Sequence, residues 1–215
     1  MISSRSFVFN TFMEKTYILW DETKEAIVVD PGCYEKAEKE ELTSFILSQE
    51  LKITSIVNTH CHIDHVLGND FLKEKYKAPL LIPEGEHVVL RAVKSYAPQY
   101  GFPLYRECEP DGYLNTSEGL LFGKSKLEIL SLPGHSPDHV GFFDAHSNNI
   151  FSGDVLFYRS IGRTDLPGGS HQTLINSIHT KLFELPNEVV VYPGHGQNTT
   201  IGEEKSQNPF CAISD

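Results

Sequence analysis

Short apolar runs alternate with amphipathic stretches along the chain, and their order predicts an α/β protein. Residues 6–10, 16–20 and 25–30 read as three closely spaced strands, an antiparallel meander. Asp30-Pro31-Gly32 then breaks the pattern with turn chemistry. Over residues 34–50 Leu42, Phe45 and Ile46 share one face and charges fill the other, which predicts a helix. Residues 51–58 form an apolar run rich in β-branched side chains, a buried strand. A helix is expected from Val66, with Phe71 and Leu72 towards the core. A brief strand at 79–82 and a helix opened by Pro83 and running to about Tyr96 follow. Strand patterns return at 120–122, 126–132, 140–144 and 149–152, and Leu174, Ile175, Ile178 and Leu182 repeat with helical period. A last buried strand is read at 188–192. There is no internal repeat, and the order suits two sheets with helices outside, a four-layer α/β arrangement.

One segment keeps two readings. Residues 97–112 carry Pro98, Gly101, Pro103, Pro110 and Gly112 mixed with Tyr100, Phe102 and Tyr105. They read as a lid or pocket wall, to which Tyr96 could add, or as a packed surface loop.

A length of 215 residues fits a single domain spanning 1–215. The formal charge of -11 argues against binding to nucleic acid or an anionic membrane. It leaves an anionic small molecule open, because bound metal ions reverse the local field. Cys33, Cys61, Cys108 and Cys211 are scattered with no C-x-x-C pair, which points to a reducing compartment. No basic stretch leads into an apolar one at the start, and no apolar run approaches membrane-spanning length. The expectation is a cytoplasmic protein of open oligomeric state, acting on a small molecule.

Chemistry concentrates in Thr59-His60-Cys61-His62-Ile63-Asp64-His65, between the 51–58 strand and the next helix. Strand C-terminal ends are where open α/β sheets place their sites. His and Asp without paired thiolates suit Zn²⁺, Fe²⁺ or Mn²⁺ rather than a structural zinc knuckle. Three further candidate ligands, His135, Asp154 and His195, each follow an apolar run and a glycine that lets the backbone turn tightly. Cys61, between two candidate ligands, reads as a small buried residue. His139 is either a partner of the site or a structural histidine. Arg163 and Asp165 read as an ion pair, and Asp30 as turn chemistry before Pro31 or as a brace for the metal loops.

In order, T-H-x-H-x-D-H, Gly134-His135, Gly153-Asp154 and Gly194-His195 resemble the metallo-β-lactamase superfamily over essentially the whole chain. The resemblance implies a four-layer αβ/βα sandwich of two mixed sheets. It also implies two divalent metal ions, most simply zinc, with iron or manganese as alternatives. His60, His62 and His135 would hold one ion, Asp64, His65 and His195 the other, with Asp154 bridging. A finer resemblance, in Gly153-Asp154-Val155-Leu156-Phe157, Ile161-Gly162-Arg163-Thr164-Asp165, Pro193-Gly194-His195-Gly196 and Asn208-Pro209-Phe210, is to short glyoxalase II-like hydrolases of the hydroxyacylglutathione hydrolase type. It implies hydrolysis of an S-lactoylglutathione-like thioester by a metal-bound hydroxide, with Asp64 both ligand and catalytic residue. The chain ends about 20 residues past His195, short of the helical domain with which longer relatives hold glutathione. Persulfide dioxygenases are similar too, and would use one iron at positions matching His60, His135 and Asp154.

Overall fold

The computed structural model describes residues 1–213. The chain divides into two compact units, Met1–Leu114 with Leu121–Lys126, and Asn115–Leu120 with the chain from Leu127 onward.

The first unit opens with β1 (Ser3–Phe9), β2 (Glu14–Trp20) and β3 (Glu25–Val29), which pair antiparallel as the pattern predicts. After α1 (Lys36–Ser48) the sheet continues with β4 (Lys52–Val57), laid parallel to β3. Next come α2 (Ile63–Val66), α3 (Asn69–Tyr76), β5 (Leu80–Ile82), α4 (His87–Tyr96) and β6 (Gly112–Tyr113). β5 runs parallel to β4, and β6 parallel to β5. The sheet order is β1-β2-β3-β4-β5-β6, a mixed sheet.

Its core is assembled by periodicity. Phe7, Phe9, Ile18, Val28, Ile56 and Leu80 from the strands cluster with Leu42 and Ile46 of α1, Leu72 of α3, and Leu90 and Val93 of α4. Complete burial of each such side chain contributes about 1.5–3 kcal/mol. The alternate strand residues Tyr17, Leu19, Ile27, Val29 and Val57 are buried as well, so these central strands are apolar on both faces. Glu38 starts α1 by folding back to accept the N–H groups of Tyr34 and Glu35 at 2.7 and 2.9 Å. It also takes the N–H of Asn10 at 2.6 Å, tying the β1–β2 link to the helix.

The helix expected from Val66 begins earlier, at Ile63, and is interrupted before α3. Asp64 and His65 therefore sit on a helical turn rather than in an extended loop.

The second sheet has the order β14-β13-β10-β9-β8-β7 and is also mixed. It comprises β7 (Leu120–Phe122), β8 (Ser125–Ser131), β9 (Val140–Asp144), β10 (Asn149–Gly153), β13 (Val190–Pro193) and β14 (Thr199–Thr200). β10 and β13 are parallel, whereas β9 pairs antiparallel with both β8 and β10. A separate ribbon joins β11 (Leu156–Phe157) to β12 (Ser160–Ile161). α5 (His171–Ser177) runs into a π-helical turn at Ile178–Leu182, and α6 (Ile201–Gln207) follows β14. Leu174, Ile178, Leu182 and Ile201 pack with Leu132, Phe143, Ile150 and Val191 as the second core. Each unit is thus a mixed sheet with helices, the fold class expected. No helix among the described residues is long and apolar enough to cross a membrane.

Candidate metal centre

β4 lies among parallel strands, and its C-terminal end delivers Asn58, Thr59 and His60 into the first unit's cluster. His60 and His65 are completely buried, Asp64 is buried and His62 is half-buried. The ring of His60 lies 4.8 Å from that of His62 and 4.2 Å from that of His65, centroid to centroid.

Asp30 organises this group. Thr59 donates its N–H to Asp30 Oδ1 and its hydroxyl to Oδ2, both at 2.6 Å. With that proton committed, Thr59 Oγ1 accepts from His60 Nδ1 at 3.0 Å, which puts the imidazole proton on Nδ1 and leaves Nε2 with its lone pair. His65 Nδ1 lies 3.1 Å from Asp30 Oδ2, within ion-pair range. Asp30, His60 and His65 each offer an atom within 4.8 Å of the others. Bracing of the loop, not local turn chemistry, is therefore what the Asp30 carboxylate does.

Two buried glutamates complete the frame, and the sequence reading missed both. Glu86 Oε2 accepts the N–H of Cys61 at 3.0 Å and so grips the backbone between His60 and His62. Glu14 Oε1 lies 4.0 Å from His65 Nδ1, while its Oε2 accepts the Thr16 hydroxyl at 3.0 Å. Burial pushes the Glu14 carboxyl well above the usual range, against the pull of His65. A Cβ on Gly32 would sit 2.1 Å from Glu14 Oε2 and 2.6 Å from the Asp64 carbonyl, so only glycine fits. Glu14 carried a readable signal, because it shares a strand face with the core residue Ile18. Glu86 carried none.

The second unit gathers the other three expected ligands. His135 follows β8, Asp154 follows β10 and His195 follows β13. His135 Nδ1 donates to the Arg163 carbonyl at 2.7 Å, which frees Nε2. Asp154 Oδ2 lies 3.7 Å from His135 Nε2 and 3.4 Å from His195 Nε2. The N–H of Asp154 donates to His139 Nε2 at 3.1 Å, so His139 is a partner of the site. Gly134 and Gly153 take left-handed conformations with φ of 132° and 52°, as the tight-turn reading requires. Gly194 does not; its N–H is used instead, donating to the Gly153 carbonyl at 2.9 Å and joining the ends of β10 and β13.

Cys61 is fully buried, and burial raises its thiol well above the ordinary value, so it is no nucleophile. Arg163 and Asp165 form an exposed bidentate pair with both contacts at 2.7 Å, which holds the Asp165 carboxyl down to about 2. Within the first unit the structure brings His60, His62, Asp64 and His65 together, and within the second His135, Asp154 and His195. Imidazole and carboxylate donors, with the His60 and His135 tautomers fixed by hydroxyl and carbonyl partners, fit divalent transition metals.

Comparison with known proteins agrees. A family model described as the metallo-beta-lactamase superfamily matches residues 10–195. Hydroxyacylglutathione hydrolase GloC of Haemophilus influenzae is 37% identical over 93% of this chain and 93% of its own. Mitochondrial persulfide dioxygenase ETHE1 of Bos taurus is 32% identical over 93% of this chain and 72% of its own. Among solved structures, BLEG-1 B3 metallo-beta-lactamase aligns with a TM-score of 0.88 at 34% identity, covering 97% of this chain and 99% of the other. TTHA1623, solved in a di-iron-bound form, aligns with a TM-score of 0.85 at 32% identity, covering 96% and 99%. A match across most of the chain, on a fold shared at these scores, places this protein in the metallo-β-lactamase superfamily, an enzyme family of metal-dependent hydrolases and related oxidoreductases.

Proposed function

We propose that the protein is a cytoplasmic, metal-dependent hydrolase of thioesters of the S-lactoylglutathione type. The observation that carries this reading is Asp154 Oδ2 facing both His135 Nε2 and His195 Nε2, at 3.7 and 3.4 Å. One carboxylate oxygen set between two imidazoles suits a ligand shared by two ions. A single-iron site would use only His60, His135 and Asp154. In the proposed assignment His60, His62 and His135 hold one ion, Asp64, His65 and His195 the other, and Asp154 both. Two bound divalent ions supply acidification of water near neutral pH and polarisation of the thioester carbonyl.

The chain's own residues do the rest. Asp64 accepts a hydrogen bond from the attacking water and orients it, which makes it the catalytic residue beyond ligation. The Thr59 hydroxyl and the Arg163 carbonyl keep protons on the Nδ1 atoms of His60 and His135, so their Nε2 atoms stay available. Water adds to the carbonyl carbon, the C–S bond breaks, and the thiol leaves as a stable thiolate without needing an acid. The similarity to hydroxyacylglutathione hydrolase over 93% of both chains supports this chemistry.

A second reading has its own support. The 32% identity to a persulfide dioxygenase favours a one-iron oxygenase on the same scaffold. Purified protein, assayed for S-lactoylglutathione hydrolysis with metal analysis on the same sample, separates the two. Thioester turnover with two divalent ions per chain is expected. One iron per chain, with O₂ consumed on glutathione persulfide and no thioester cleavage, overturns the hydrolase.

A further inference from the structure

Asn10 connects the metal cluster to a set of exposed aromatic rings. The link between β1 and β2 turns with Asn10 and Met13 in left-handed conformations, φ 50° and 57°, and closes with the Met13 N–H on the Asn10 carbonyl at 3.1 Å. The Asn10 side-chain amide donates to the carbonyls of Gly32 and Asp64, each at 3.0 Å. Its side-chain oxygen accepts the N–H of Phe12, also at 3.0 Å. One side chain therefore places both the backbone of a proposed metal ligand and the aromatic residue at the tip of the link.

Phe12 is not alone there. Its ring centroid lies 6.1 Å from that of Tyr100 and 6.0 Å from that of Phe102, and Tyr96 meets Tyr100 edge-on at 5.6 Å. Phe102 is buried and meets Tyr34 edge-on at 4.9 Å, which makes it the anchor of the group. Phe12 and Tyr100 remain 39% and 51% exposed, and Met13 67%. Asn10 joins the row to the cluster, holding the Phe12 N–H on its side-chain oxygen and the Asp64 carbonyl on its amide. Core packing accounts for Phe102. It does not account for rings left in water beside a buried ionic cluster, where exposed apolar area is unfavourable by roughly 25 cal/mol per Å².

We propose that Phe12, Tyr96 and Tyr100, seated on Phe102, form a subsite for the acyl group of the thioester, selecting aromatic or branched apolar acyl groups. The proposal rests on the thioester-hydrolase reading. The uncharged nature of the row assigns it to the acyl end. A glutathionyl end carries two carboxylates and an ammonium, which call for charged partners, whereas this row offers ring faces and, at Tyr96 and Tyr100, neutral hydroxyls. The segment 97–112 thereby supplies a pocket wall.

The test compares thioesters that share one thiol. Metal-loaded wild type and the double variant Phe12→Ala/Tyr100→Ala are assayed with S-benzoylglutathione and S-acetylglutathione. Binding of benzoate and acetate to the same samples is measured by calorimetry. The ratio of kcat/KM for benzoyl over acetyl, and the ratio of affinities for benzoate over acetate, should each fall roughly tenfold in the variant. Tyr100→Phe, which keeps the ring face, should hold both ratios. Equal loss for both acyl groups, or ratios that do not move, overturns the subsite. If no thioester is cleaved but the variant still loses its preference for benzoate, the subsite stands and the hydrolase reading falls.

Discussion

Asp30 is the residue on which the first ligand group depends, and its backbone shows why few side chains could replace it. Its φ of 49° is left-handed, a conformation that Asp and Asn tolerate better than other side chains. Asp30→Asn is therefore the clean substitution: it keeps size and backbone but leaves one acceptor oxygen for the two donors of Thr59 and removes the charge beside His65 Nδ1. We expect an unchanged circular dichroism spectrum and metal affinity roughly 10–100-fold weaker, read by competition with a chelator. Wild-type affinity would sink the bracing role. Glu86 makes a different point. Glu86→Ala strands the buried N–H of Cys61 and should cost about 1–3 kcal/mol in urea unfolding, whereas Glu86→Gln keeps an acceptor and should recover most of it. Equal losses in both variants would mean that its charge, not its hydrogen bond, matters. Bracing was one of two readings open for Asp30 in the sequence, whereas nothing there pointed to Glu86; their partners lie 29 and 25 residues away. The candidate ligands were legible because their pattern is local: a glycine or a β-strand end, then His or Asp.

Elements differ in how plainly the sequence announces them. The β1–β3 meander, α1, β4 and α4 all repeat apolar positions over several residues, so their periods can be read. The strands β6, β11, β12 and β14 span two residues each, too short for any alternation, and are held only by pairing. α6 was missed for a related reason: it buries only Ile201 and the charged Glu204, with polar residues at its remaining positions. Turns can carry as much as strands. Asp21, just past β2, accepts the Thr23 N–H and hydroxyl on Oδ1, and the Lys124 N–H and Ser125 hydroxyl on Oδ2. It thereby fastens the β2–β3 turn to the β7–β8 turn within the first unit. Burial alone would raise its carboxyl, but these four donors outweigh it and hold the group well below the ordinary value of 3.8. A depressed carboxylate supplies stability that is complete above the unfolded value and is lost as pH falls towards the folded one. Asp21→Ala should therefore be less stable by about 2–3 kcal/mol near neutral pH, with the deficit shrinking below the unfolded value of 3.8. Urea unfolding of both proteins across that range checks it, and a deficit that grows towards acid would contradict the argument.

At the scale of the whole chain, the ligand-type residues set a condition on stability. The protein carries a formal charge of -11, and Glu14, Asp30, Asp64 and Asp154 are all buried. Burying carboxylates is unfavourable unless cations or donors compensate them, and surface charges do not reach them. The unfolded chain holds no such arrangement, so a divalent ion bound to the native state shifts folding by RT ln(1 + [L]/Kd), about 2.7 kcal/mol at a hundred times Kd and about 4.1 at a thousand. For a domain of this size each kcal/mol moves the melting temperature by roughly 2–4 °C. Chelator-treated protein should accordingly melt roughly 6–15 °C below the loaded form, and zinc, iron or manganese should restore it. Stoichiometry then tests the ligand assignment without any appeal to turnover. Wild type should bind two ions per chain, while His195→Ala should bind one and keep part of the thermal shift. Asp154→Ala removes the shared ligand and should lose both. Melting curves that coincide with and without metal would remove the cluster's claim to be a metal centre. One ion in wild type, unaffected by His195→Ala, would leave the centre standing but reassign it to the single-iron form.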